Sequence, residues 1–258
     1  VCLIGLMVKI VMFLIPDGKK TEADPFETLY LDENVKNQPA AALQLVAKEI
    51  LHLSDQVKKV LHDTVAVVKE NQVQGVEKIQ EESVKVTKLT DKITDYLAGL
   101  FSSGLLTEQQ ASQTAGLMYV LGDVERIGNL SAGIALSMKE KETNQYKYSP
   151  EAMDELAKCL KTLEKMFDSA TKALRGDTSI ELEKLMKRKD KIVNLDIMMR
   201  KSHIQRVNKG KCKASLTTPF TNILHLIDRM GNSCINLADA ATNEVALKYF
   251  LPKDEMTM

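Results

Sequence analysis

Two short strings, Glu125-Arg126-Ile127-Gly128-Asn129 and Asp228-Arg229-Met230-Gly231-Asn232, hold the residues best equipped for chemistry in this chain. In each, an acid and an amide stand four residues apart, so a helix places them on one face with their oxygens side by side. Such oxygens suit hard cations such as Mg²⁺, or an iron-type centre. Glu125 and Asp228 are therefore candidate metal ligands, and a divalent metal or iron is the candidate cofactor. The same residues have a purely structural use. Arg126 and Arg229 stand next to the acids, and Gly128 and Gly231 let another helix approach closely. Each string would then be a polar packing node that ties helices into one rigid unit.

Other chemistry has little support. Glu49-Ile50-Leu51-His52 has the E-x-x-H spacing of di-iron carboxylate bundles, but those need a second such pair and two further helix-borne Glu residues. His62, His203 and His225 have no Glu three residues before them, and all four histidines are expected to be exposed or lightly buried. Cysteines at 2, 159, 212 and 234 form no C-x-x-C pair and suit a reducing compartment. No metalloprotease, nucleophile-elbow, Walker or Rossmann pattern is present. Met198-Met199 is expected to fill core. The sequence offers no catalytic machinery, and a di-iron oxidase and a coiled-coil adaptor are the alternatives from other classes.

The elements that would position the two strings are helices. Leu43, Val46, Ile50, Leu53, Val57, Val60, Thr64 and Val67 step by three and four residues, and so do Met153, Leu156, Leu160, Leu163, Phe167, Ala170 and Leu174. Ser149 is the N-cap of the second run, with Pro150 at its first helical position. Further helices are expected over roughly 76–100 and 180–207, each ending near glycine. Thr107-Glu108-Gln109-Gln110 reads as a capping box opening a helix to about 139, and Ser215 or Thr218 before Pro219 opens the last, to about 248. The order is three helices, twice. An offset of 106 superposes Val76-Glu77-Lys78-Ile79 on Leu182-Glu183-Lys184-Leu185, and an offset of 103 superposes the two acid-Arg-apolar-Gly-Asn strings. A heptad has no reason to repeat that last pattern, so the chain reads as an internal duplication.

Composition agrees. Of 258 residues, 44% are hydrophobic and only 5% aromatic, with no Trp, which disfavours a strand-built sandwich and supports an all-α fold. Thirty-five basic residues balance thirty-five acidic ones, which removes the footprint of a nucleic-acid binder. Residues 1–15, VCLIGLMVKIVMFLI, form an apolar run that begins with Val and is too short to cross a bilayer. It is expected to be an apolar N-terminal helix, the tail of a membrane-spanning helix whose beginning is missing, with Lys19 and Lys20 on its cytoplasmic flank. Residues 16–38 are assigned to a linker, 39–144 to a first three-helix bundle and 145–258 to a second.

At the two strings the sequence resembles the PhoU family, whose tandem three-helix bundles carry an acid-x-x-x-Asp motif on the third helix of each. The resemblance covers about residues 39–248. Leu31-Asp32-Glu33, followed by Pro39-Ala40-Ala41-Ala42-Leu43 and Lys48-Glu49-Ile50, also resembles the junction of bacterial sodium-dependent phosphate symporters of the Na/Pi-cotransporter II-related group. This implies a cytoplasmic regulatory domain at the cell membrane that limits or senses phosphate uptake, with no catalytic residues. Its implied partner is a transporter domain of the same polypeptide, with sodium and phosphate as transported ions and a second copy as a candidate partner. A stand-alone PhoU-type phosphate-signalling regulator is the alternative. In the family the first acid and the final Asp of the motif, with further acids on the second helix, form the metal-binding faces. Here the final residues are the amides Asn129 and Asn232, and the aligned second-helix positions are Thr87 and Val193, with Glu82, Asp91 and Asp190 nearby but out of register. Weak or absent metal binding is expected.

Overall fold

Apolar residues at three- and four-residue steps can be buried only if each helix packs on others. In the computed structural model, which describes residues 27–177, 180, 182–242 and 247–250, six long helices do so, with no strand among the described residues: α1 (Pro39–Glu70), α2 (Val76–Ser102), α3 (Glu108–Thr143), α4 (Pro150–Leu174), α5 (Leu182–Asn208) and α6 (Thr217–Thr242). The expected N-terminal helix over 1–15, and residues 16–26 of the linker, lie outside the described residues. None of the helices among the described residues is long and apolar enough to cross a membrane.

The duplication is visible in the element boundaries. α2 and α5 are offset by 106 residues at both ends, and Gly104 and Gly210 follow them with matching φ values of 70° and 67°, a left-handed conformation that glycine adopts without a Cβ penalty. Every seam position of α1 from Leu43 to Val67 is buried. Thr64, its one polar member, satisfies its hydroxyl by donating to Val60 O at 2.9 Å and Ser131 O at 3.3 Å. The seam of α4 is likewise buried from Met153 to Leu174. Local signals set the helix starts. Thr107 Oγ1 accepts from Gln110 N while Gln110 Oε1 accepts from Thr107 N, and Ser149 Oγ accepts from Ala152 N. The last helix opens at Thr217, between the two expected caps, after a 3₁₀ turn at Ala214–Leu216.

Each set of three helices packs as a bundle, and the bundles meet along two seams, α1 on α4 and α3 on α6, leaving α2 and α5 outside. α1 and α4 run antiparallel, clamped at the rim by Asp55 with Arg175 (2.7 and 2.8 Å), Lys58 with Asp168, and His62 Nδ1 with Glu164 Oε1 (2.7 Å). Asp168 is held below the usual carboxylate range: partial burial opposes this, but bonds from Lys58 and Lys172 outweigh it. Gly133 on α3 sits against Leu226 on α6, where an added Cβ would come within 3.5 Å of its Cδ1. One continuous apolar core runs through both bundles.

The described part of the linker is docked onto the first bundle. Glu49 is fully buried, accepting from Tyr30 N at 2.7 Å and pairing with His52 Nδ1 at 3.0 Å. Tyr96 donates to Asp32 O at 2.8 Å, and Lys36 lies 4.8 Å from the centre of the Tyr96 ring. Glu49 thus anchors a chain segment. Replacing Glu49 with Ala leaves Tyr30 N–H and His52 without their acceptor, so limited proteolysis should cut within residues 28–38 several-fold faster in Glu49→Ala than in the parent. Equal cleavage rates would remove Glu49 from this role.

Candidate functional site

The two strings lie at equivalent places on α3 and α6, each facing the outer helix of its own bundle. The acid–amide contact foreseen from the spacing forms in both. Asn129 Nδ2 donates to Glu125 Oε1 at 3.2 Å, and Asn232 Nδ2 donates to Asp228 Oδ2 at 3.3 Å. The glycines explain the close approach. A Cβ on Gly128 would come 3.2 Å from Val57 Cγ2 on α1 and 3.3 Å from Val86 Cγ1 on α2, and one on Gly231 would come 3.0 Å from Lys189 Cδ on α5.

The second helices complete the nodes differently. In the first bundle, Ser83 Oγ donates to Asn129 Oδ1 at 2.9 Å and Thr87 Oγ1 donates to the same oxygen at 3.3 Å. In the second, Lys189 stands at the position of Ser83 under the 106-residue offset, and its ammonium donates to the Asp228 carboxylate and, at 3.0 Å, to Asp228 O. Val193, at the position of Thr87, is exposed and has no polar atom to offer. The Asn129 oxygen is taken up by hydroxyls, and the Asp228 carboxylate is neutralised by an internal cation. Among the described residues no group of three or more His, Cys, Asp and Glu side chains is placed to hold a metal ion. Glu82 pairs with Lys85 at 3.0 Å, while Asp91 and Asp190 are exposed.

The arginines do not join the nodes. Arg126 is exposed, its nearest carboxylate being Asp123 at 3.8 Å, and Arg229 is also exposed. The nodes therefore tie third helix to second helix within each bundle, and the α3–α6 seam is held by other residues. Lys189 was missed in the sequence because its meaning depends on the offset: only the superposition on Ser83 shows that a cation faces the second acid.

Two other sequence expectations need correction. His203 is buried, stacked on Phe220 with ring centres 5.3 Å apart, its Nε2 2.9 Å from Thr217 Oγ1 and its Nδ1 3.8 Å from Cys212 Sγ. Of the two adjacent methionines only Met199 is core, and Met198 is exposed. His52 is part of the Glu49 anchor, with Gln56 Nε2 3.1 Å from its Nε2, and no second E-x-x-H accompanies it. Cys159 and Cys234 are buried, and burial pushes the Cys159 thiol up to about 12 and the Cys234 thiol up as well, so neither is poised as a nucleophile.

Residues 50–138, most of the first bundle, match the family model described as the PhoU domain. The fold is similar to the crystal structure of PhoU from Pseudomonas aeruginosa, with a TM-score of 0.68 at 15% identity over 76% of this chain and 93% of that one. No curated protein matches the chain in sequence. The fold is thus PhoU-like, and the first bundle carries a PhoU domain match.

Lys189 is mostly buried and Asp228 is about half exposed, at 12% and 49% of their side-chain surface, so the pair should be modestly stabilising. In urea unfolding, Lys189→Met should lower stability by about 1 kcal/mol. Adding Asp228→Asn should recover part of that loss. A strictly additive double mutant would show that the two groups are not coupled.

His203 is held below the ordinary histidine value of 6.5, first by burial and then by the Arg206 charge. The folded state therefore prefers the neutral ring more strongly than the unfolded chain does. Its contribution is fully present above about pH 6.5 and is lost as pH falls through the lowered value. Melting temperature should drop more steeply on acidification below about pH 6.5 in the parent than in His203→Gln. Parallel curves would overturn this assignment.

Proposed function

We propose that this chain is a non-catalytic regulator of phosphate homeostasis, and in particular the cytoplasmic regulatory domain of a sodium/phosphate cotransporter in the cell membrane. The match of residues 50–138 to the PhoU domain carries the general reading, and the PhoU-like fold of both bundles supports it. The fused-transporter reading is supported by sequence alone: the apolar run at residues 1–15 and the Leu31-Asp32-Glu33 junction ahead of the bundles. A stand-alone phosphate-signalling regulator fits the domain match equally well. In the fused reading the partners are the transporter domain of the same polypeptide and a second copy of the chain, with sodium and phosphate as transported ions.

The nodes enter this proposal as rigidifying elements. A regulator without chemistry of its own transmits a signal by moving as a body, and a hydrogen-bonded node between helices two and three makes each bundle one body. Metal at Glu125 and Asp228 is the competing proposal, and the Lys189 ammonium works against it at Asp228, because a bound cation would have to displace a charge already there. Deleting the gene in its own host should change initial rates of labelled phosphate uptake several-fold, and the parent chain should restore them while Glu125→Lys/Asp228→Lys should not. Uptake that is unchanged by the deletion would overturn the regulatory reading. Loss of the effect when sodium is replaced by potassium would support the symporter reading over the stand-alone regulator.

A further inference from the structure

Between the connector joining the two bundles and the loop joining α5 to α6 lies a cavity of about 600 Å³, within the range of small-molecule sites. Two left-handed residues shape its walls, Gln145 (φ 53°) in the connector and Gly210 (φ 67°) in the loop. Lys147 comes from the connector, Lys211 and Lys213 from the loop, and Ser215 adds a hydroxyl. No acidic side chain lines the space, and none of the three lysines makes an ion pair among the described residues. Glu151, in the first turn of α4, lies near: its carboxyl is held low mainly by its own backbone hydrogen bond and by Ser149, with Lys211 a minor contributor.

The repeat shows that packing does not require this charge. The equivalent junction of the first bundle, Ser103-Gly104-Leu105-Leu106-Thr107, turns the chain at a glycine of the same conformation with no lysine at all. The charge is also concentrated here rather than spread. Lys209, Lys211 and Lys213 fall within five residues of the loop, with no acid among them, in a chain whose net charge is zero. A basic cluster with no acid in the cavity wall concentrates anions.

We propose that this cavity binds a phosphoryl anion with more than one phosphate group, a diphosphate or a nucleotide. Three lysines from two separate loops, with a hydroxyl in the same wall, offer more positive charge and more room than a single tetrahedral oxyanion uses, and lysine is a strong point-charge partner for phosphate. Tyr146 and Asn144 line the same space and offer a ring face and an amide to an attached base. The regulatory meaning of such a ligand rests on the proposed function, whereas its binding does not.

Cys212 supplies the readout. It lines the cavity and is partly exposed, while Cys159 and Cys234 are buried. In a Cys2→Ser background of the full chain, alkylation of Cys212 by iodoacetamide is followed by mass spectrometry with inorganic pyrophosphate, ADP, orthophosphate or sulfate present. Pyrophosphate should slow alkylation at concentrations about tenfold below those needed with orthophosphate or sulfate. Protection by ADP at lower concentration than pyrophosphate identifies a nucleotide site, and equal protection identifies a site for the diphosphate alone. Both outcomes support the assignment. Lys147→Gln/Lys211→Gln/Lys213→Gln, whose helical circular dichroism should match the parent because the three side chains are exposed, should need at least about tenfold more pyrophosphate. No protection by pyrophosphate or ADP, or unchanged protection in the folded triple variant, would overturn it. Phosphate uptake that ignores deletion of the gene would overturn the regulatory reading and leave this site standing.

Discussion

Four helices of this molecule bury more than one face, and that constraint organises the rest. α1 and α4 pack inside their own bundles and against each other, as do α3 and α6. α1 accordingly buries sixteen of its thirty-two residues, whereas the peripheral α5 buries four of twenty-seven. A helix buried on two sides has little room for polar atoms, so the polar chemistry is pushed to the outer helices, the rims and the loops. Where a polar group does enter the interior it is bonded on the spot: Thr64 reaches two carbonyls, and the buried Glu49 is held by Tyr30 N and His52.

The burial pattern was largely legible because it is periodic. The three- and four-residue stepping of α1 and α4, the capping box at Thr107 and the Ser149-Pro150 start are local signals, and local signals survive folding unchanged. The duplication was legible through the recurring acid-Arg-apolar-Gly-Asn string, at whose glycines an added Cβ would come within 3.0 to 3.3 Å of neighbouring side chains. Pairings across the fold were not legible. Nothing near His203 in sequence announces that Phe220 and Thr217 will close over it, and nothing near residue 30 announces that its amide will cap a carboxylate nineteen residues later. The arginines misled for the same reason: adjacency in sequence to Glu125 and Asp228 suggested a tie, while the helical turn places them on the exposed side.

The two nodes illustrate how a duplicated site diverges while its packing is kept. Both retain the acid, the amide bonded to it four residues on, and the glycine that leaves room for the second helix. What differs is the second-helix donor. Two hydroxyls serve the Asn129 oxygen in the first bundle, and one ammonium serves Asp228 in the second. A half-buried carboxylate needs donors or a counter-charge, and lysine provides both without an external ion. Once Lys189 is present, the valine at 193 carries no penalty, since no ligand or donor is required from that position.

The same divergence accounts for a basic loop in a chain of zero net charge. Duplicated halves begin with identical packing obligations, and a loop whose only duty is to turn the chain at a left-handed glycine can change everything else. The first-bundle loop became apolar, leaving Leu105 exposed, and its counterpart became Lys-Gly-Lys-Cys-Lys. Like charges crowded in this way repel one another and favour neither folding nor solubility over a mixed surface. Their grouping around a concave space is therefore better accounted for by what the space attracts than by what the fold needs.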